Sequence, residues 1–190
     1  MHFTNTKPFR VNEEELVRQC KRGDLKSQQR LYDLFSDRFF RLAFRYVKDQ
    51  TEAEDVVMLA FVKIFTNLKK FTWQEAGSLE AWMRRILINE ALMALRKKHN
   101  FYLTETLDVE NPVHDVEVFE QADAEYLYQL ILELPDGYRT VFNLFAVEGY
   151  DHTEIAELLE ITESTSRSQL YKARQLLIRK INQEGLHYGT

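Results

Sequence analysis

Cysteine, proline, glycine and long apolar runs are all scarce in this sequence. The single cysteine, Cys20, has no partner for an internal disulfide, so a reducing, cytoplasmic setting is expected. Three prolines and six glycines leave few enforced turns, which favours long helices over hairpin-rich sheets. No uncharged apolar stretch approaches the roughly 20 residues that a bilayer-spanning helix needs. The opening run MHFTNTKPFR lacks the apolar core of a secretion leader, and neither export nor membrane insertion is expected. Five scattered histidines and one cysteine make no zinc-like ligand set, so no metal is expected. No glycine loop is shaped to cradle phosphate, and no spacing of acids demands catalysis. These absences argue against an enzyme, a cofactor and a small-molecule substrate.

Charge is present in quantity, and its distribution is informative. The net charge of −5 argues at face value against a nucleic-acid binder. Residues 1–100, however, carry 19 Lys/Arg against 13 Asp/Glu, while residues 101–137 carry 10 Asp/Glu and no basic residue. Beyond residue 137 the balance is near neutral, with 5 of the 6 basic residues lying between Arg167 and Lys180. The acidity therefore belongs to one segment set between two parts with local basic faces.

Helical signals dominate both parts. Asn12 can cap a helix whose first turn holds Glu13, Glu14 and Glu15. Gly23 can stop that helix, and Asp24 can cap the next. The second helix carries Leu31, Leu34, Phe35, Phe39, Leu42, Phe44 and Val47 at roughly helical period. Thr51 and Glu54 are spaced as a capping box for a third helix containing Val56, Val57, Ala60, Phe61, Ile64 and Phe65. After a loop over Lys69 to Gly77, Ser78 can cap a fourth helix through Trp82, Ile86, Ala91 and Leu95. The stretch from Thr104 to Gln121 is acidic, contains Pro112 and lacks period, as a linker would. Helical pattern resumes at Tyr126, pauses at Pro135 and ends again at Gly149. The expected fold is all-α: two helical domains, over 10–100 and 123–185, joined by a flexible acidic linker over 101–122.

The most specific pattern lies from Asp151 to Lys180. Asp151 and Glu154 form a second capping box, opening a short helix with Ile155, Ala156, Leu158 and Leu159. The small Ala156 suits a close, steep helix crossing. Glu160 to Thr162 makes a turn, and Thr162 can cap a second helix whose apolar face is Leu170, Ala173, Leu176 and Leu177. Thr165, Arg167, Ser168, Tyr171, Lys172 and Arg174 fall toward the other side, where base edges and phosphates would be met. A helical hairpin with a solvated face is the plainer alternative. Capping, small residue, short turn and basic second helix nevertheless agree on a DNA-binding helix-turn-helix. Two positions depart from the usual pattern: Glu160 stands where glycine often supplies a left-handed turn, and Ser166 is polar where an aliphatic is usual.

The run Leu134-Pro135, Arg139, Val141-Phe142, Glu148-Gly149-Tyr150, Glu154-Ile155-Ala156, Thr165, Ser168, Leu170, Ala173-Arg174 resembles the promoter-binding C-terminal region of sigma-70-family factors. The resemblance is to the extracytoplasmic-function (ECF) group. The first half is similar to the same group through Arg22-Gly23-Asp24, Ala53-Glu54-Asp55, Phe61, Leu79-Glu80-Ala81-Trp82, Arg85-Ile86, Asn89 and Arg96. The resemblance implies core RNA polymerase and promoter DNA as partners. It also adds an anti-sigma factor, which holds many members of the group inactive, although no residue here identifies one. It implies that the third helix, with Asp55, Met58, Leu59 and Val62, docks on the polymerase. Phe71, Trp73, Arg84, Arg85, Asn89, Arg96 and Lys97 would serve the unpaired −10 strand, and the second helix of the helix-turn-helix the −35 element. At Met58-Leu59 the chain departs from the group, which commonly has Gln and an acidic residue there. On sequence grounds, restoring the polar pair is expected to preserve or strengthen polymerase binding.

Two functions follow as expectations. One is a transcription initiation factor that binds core polymerase and directs it to promoters through −10 and −35 elements. The alternative is a helix-turn-helix regulator that acts on duplex DNA without polymerase. The residues themselves also bear on single aromatics: stacking on an extruded base suits loop-borne Phe71 and Trp73, whereas the helical register of Trp82 suits core packing.

Overall fold

Most of the helices begin where a short polar side chain can accept the first free amides. In the computed structural model, which describes residues 12–97 and 124–185, Asn12 Oδ1 accepts from Glu15 N at 3.1 Å and opens α1 (Glu13–Lys21). Gly23 takes φ of +82°, and Asp24 then accepts from Ser27 N at 2.9 Å to open α2 (Leu25–Val47). The cap of helix α3 (Gln50–Asn67) lies two residues before the expected one. That cap is Asp49, which accepts from Glu52 N at 2.9 Å, so Thr51 lies inside the first turn. A 3-10 turn, Leu68–Lys70, occupies the start of the expected loop and is followed by α4 (Ser78–Lys97).

The remaining elements are α5 (Ala124–Glu133), α6 (Asp136–Phe142) with a π-turn over Asn143–Val147, α7 (His152–Leu159) and α8 (Glu163–Gly185). No strand occurs among the described residues, and the fold is all-α. The acidic linker expected over 101–122 lies outside the described residues. Among the described residues there are two compact units, 12–44 with 49–93, and 45–48 with 94–97 and 124–185.

In the first unit the core gathers around Phe61. Its ring lies 4.7 Å from that of Tyr32, and 5.8 Å from those of Phe39 and Phe65. Leu31, Phe39, Ala60, Ile64, Leu79, Met83 and Leu87 are buried around this cluster. Cys20 is buried as well, and desolvation pushes its thiol up to about 11, so it is a packing residue and a poor nucleophile. Leu34, expected on the apolar face of α2, is instead exposed.

In the second unit α8 is the central element, contacted by α5, α6 and α7. Leu170, Ala173 and Leu177 form its innermost line, at i, i+3 and i+7. The turn between α7 and α8 is closed by Glu160 N and Ile161 N, both bonded to Ala156 O, while Glu160 sits in the left-handed region at φ 58°, ψ 43°. Glycine takes that conformation without the penalty of roughly 1–2 kcal/mol that an L side chain meets there. Glu160→Gly is therefore expected to stabilise the full chain against urea by about 0.5–1 kcal/mol, glycine's larger unfolded-state entropy offsetting part of the relief. A loss of stability in equilibrium unfolding would mean that the Glu160 side chain contributes more than its backbone costs.

Candidate nucleic-acid interface

The first helix of the helix-turn-helix is fixed at its start by a reciprocal cap. Asp151 Oδ1 accepts from Glu154 N at 2.8 Å, and Glu154 Oε2 accepts from Asp151 N at 2.9 Å. The second begins where Thr162 Oγ1 accepts from Thr165 N at 3.0 Å. Between them Ile155 and Ala156 are buried, as the crossing requires.

Two of the outward-facing residues expected from sequence face inward. Thr165 and Ser168 are 9% and 8% exposed, and the Thr165 hydroxyl lies 2.8 Å from that of Thr162. The reason is the packing of three elements on α8, which buries more of its circumference than a single partner helix would. What remains is an edge of exposed Arg167 and Arg174 with half-exposed Tyr171 between them, one helical line at i, i+4 and i+7, and Lys172 half-exposed beside it. Arg167 forms an ion pair with Glu163 one turn back, and Arg174 lies 5.7 Å over the Phe145 ring.

Ser166, one of the two departures noted in the sequence, is fully buried. Its Oγ lies 2.8 Å from His152 Nδ1, so a hydroxyl–imidazole pair stands where the second helix would ordinarily bury an aliphatic. The His152 ring in turn stacks on Phe145, with centroids 4.6 Å apart and planes at 25°. Burial lowers the His152 pKa, as do the positive Arg167 and Arg174, against the opposing pull of Glu163 and Asp151. Sequence reading had not singled out His152. The only available signal was the anomalous serine, which needs a polar partner if it is buried.

In the first unit the second group of expected DNA contacts surrounds the loop before α4. Phe71 is buried and its ring meets Trp82, centroids 5.0 Å apart, so it anchors the loop and presents no free face for a base in this conformation. Trp73 is half-exposed. On α4, Arg85 and Asn89 are exposed one turn apart, and Arg96 and Lys97 are exposed in the last turn. Arg84 lies 3.9 Å from Glu80, which also pairs with Arg38 at 3.2 Å. The other acid of this helix is Glu90. Glu90 is itself buried and bonded to Lys63 at 2.5 Å. Both acids are engaged by cations, which lessens their opposition to phosphate at this surface.

The α4 helix is not capped by Ser78. Ser78 Oγ accepts from Gln74 N in the loop at 3.3 Å, and the helix amides of Gly77 and Leu79 are met by the carboxylate of Glu13.

On α3 the polymerase-docking residues expected from the resemblance form an exposed line at i, i+3, i+4 and i+7. Met58, Leu59 and Val62 are 63%, 50% and 58% exposed, with Asp55 exposed at the head of the line. Ala53, Val56, Val57, Ala60 and Ile64 fill the opposite, buried face.

The sequence matches two family descriptions: Sigma-70 region 2 over residues 31–101, and Sigma-70 region 4 over residues 124–177. The chain belongs to the sigma-70 family, in its extracytoplasmic-function group. It is 29% identical to the ECF RNA polymerase sigma factor SigW of Bacillus subtilis, over 87% of this chain and 94% of that protein. It is 26% identical to the ECF RNA polymerase sigma-E factor of Haemophilus influenzae, over 90% and 96%. A solved structure of CnrH in complex with the cytosolic domain of CnrY aligns with a TM-score of 0.49 at 20% identity, covering 88% of this chain and 96% of that one. This sigma factor is a transcription initiation factor, and the regulator acting without polymerase is not favoured. Among the described residues, no helix is long and apolar enough to cross a membrane, and no group of three or more His, Cys, Asp or Glu could hold a metal ion.

Proposed function

We propose that this sigma factor divides promoter reading between a domain over residues 10–100 and one over 123–185, on an acidic tether over 101–122. Core polymerase docks on the α3 line Asp55, Met58, Leu59 and Val62. The loop with Trp73, supported by Phe71, and the α4 residues Arg84, Arg85, Asn89, Arg96 and Lys97 serve the unpaired −10 strand. Arg167, Tyr171, Lys172 and Arg174 enter the −35 major groove, with Thr165 and Ser168 setting the helix from behind. The observation that carries this reading is the basic edge of α8, with Arg167, Tyr171 and Arg174 on one helical line in a capped helix-turn-helix. Guanidinium groups placed so can read guanine edges or hold phosphates. The protein supplies recognition and strand opening in the cytoplasm, and the polymerase supplies the chemistry. Control by an anti-sigma factor belongs to the same reading.

Mixing the purified chain with bacterial core polymerase and genomic DNA, then sequencing the transcripts, is expected to give discrete start sites sharing two upstream elements. Tight duplex binding by the chain alone, with no polymerase-dependent starts, would return the reading to a free-standing regulator.

A further inference from the structure

The loop between the 3-10 turn and α4 is held at both of its ends by one helix, and that helix is α1. At the near end, Lys21 Nζ donates to Phe71 O at 2.5 Å. At the far end, Glu13 Oε2 accepts from Gly77 N at 2.9 Å and Glu13 Oε1 accepts from Leu79 N at 3.0 Å. Glu13 and Lys21 are the first and last residues of α1, a span of about 12 Å at 1.5 Å per residue. The contacts therefore bracket the loop rather than pin one point. Each charged side chain meets uncharged backbone groups, the stronger class of hydrogen bond. Glu13 also places its carboxylate at the positive end of the α4 dipole, where the helix's own serine is engaged elsewhere.

The loop's own fastenings are all short-range. Phe71 N bonds to Leu68 O and Ser78 N to Glu75 O, both at 3.1 Å, and Gln74 N to Ser78 Oγ. Gly77 turns the chain at φ +90° with nothing within 4 Å of the place a Cβ would occupy. Thr72, Gln74, Glu75 and Ala76 are all exposed. A loop of this kind keeps one shape only if its ends are held, and beside the Phe71–Trp82 contact the charged holds come from α1.

We infer that Glu13 and Lys21 are positioning residues that set the shape of the Phe71–Gly77 loop and thereby the selectivity of −10 reading. The inference rests on the proposed assignment of that loop to the −10 strand. Neither residue touches DNA in this scheme. Loss of either bond leaves the loop able to adopt several shapes, and selectivity falls because fewer molecules present the competent one.

The test uses the full chain with core polymerase on a promoter recovered from the genomic transcription experiment, and on copies with single base changes in the −10 or −35 element. Glu13→Ala and Lys21→Met are each expected to cut −10 discrimination by about fivefold to tenfold, the scale of one lost charge-assisted contact. Discrimination at −35 should stay unchanged, and Lys21→Arg should restore the −10 value to within about twofold because it retains a donor. Amide exchange on the free chain supplies a second reading, with faster exchange expected over residues 72–79 in both variants. Unchanged −10 discrimination in both variants, with the wild type discriminating normally, overturns the inference. A wild type that ignores −10 changes instead defeats the assignment of the loop, and unchanged exchange would then overturn the brace itself. Should Glu13→Ala unfold the first unit, Lys21→Met with its Arg rescue decides alone.

Discussion

Ser166→Ile is expected to destabilise the C-terminal helix-turn-helix by about 2–4 kcal/mol and to abolish −35-dependent transcription at elevated temperature. Ser166 is fully buried and its hydroxyl lies 2.8 Å from His152 Nδ1. An isoleucine removes that partner, leaving a half-buried ring nitrogen unsatisfied at a cost of about 1–3 kcal/mol. It also adds a net two heavy atoms at a helix crossing, where overpacking typically costs about 1–3 kcal/mol. Ser166→Ala separates the two contributions, because it orphans His152 without adding bulk, and should lose roughly half as much. Urea unfolding of the full chain, followed by a probe in α8, measures both. A Ser166→Ile protein within about 0.5 kcal/mol of wild type would show that the site accepts the usual aliphatic and that the polar pair is incidental.

The same pair gives this domain a defined acid response. The folded-state pKa of His152 lies below its ordinary 6.5, chiefly through burial. The folded chain therefore prefers the neutral ring, and the unfolded chain takes up a proton first as pH falls. Stability from this group is present above 6.5, declines as pH falls from there toward the lower folded value, and levels off below it. Substituting His152 with Gln should flatten that decline, and the comparison checks that the slope comes from this ring rather than from carboxylates.

Much of this architecture was legible from local chemistry. Asn12, Asp24, Thr162 and the Asp151/Glu154 box cap as their spacing requires, because a cap is a three-residue interaction that sequence contains in full. Apart from Thr51, whose competitor Asp49 is two residues away, the failures are interactions between distant elements. Ser78 and Thr51 have good capping chemistry, but Glu13 and Asp49 hold the respective helix starts. Nothing near Ser78 could announce an acceptor 66 residues away. Thr165 and Ser168 were placed outward by assuming one apolar face on α8. Packing by α5, α6 and α7 widens the buried arc until both fall inside it. The candidate site was thus readable as a basic edge, but its exact membership depended on neighbours that periodicity cannot count. Phe71 fails the same way, since its partner Trp82 sits on the next helix.

Met58→Asp combined with Leu59→Asp is expected to weaken core-polymerase binding by about 100-fold or more. Sequence reasoning pointed in a different direction, since the family's polar pair at these positions suggested that Met58→Gln with Leu59→Glu would preserve or strengthen binding. We propose, from the exposures of Met58, Leu59 and Val62, that the apolar residues make the contact themselves. Three large apolar side chains on one exposed helix line gain nothing for the folded chain in water, and such a patch ordinarily marks a surface covered by a partner. Covering two of them is worth about 1.5–3 kcal/mol each, and roughly 1.4 kcal/mol is tenfold in affinity. Carboxylates there would forgo that gain and bring their own desolvation cost. Because the buried face of α3 is formed by other residues, the double variant should fold, with an unchanged unfolding midpoint as the control. Fluorescence anisotropy with labelled sigma factor and core enzyme measures the affinity. Tight binding by the Asp pair would show that the polymerase meets some other face, and that the apolar line serves a different partner. Intermediate loss with the Gln/Glu pair would show that the docking surface on the polymerase tolerates both chemistries and that this factor exploits the apolar one.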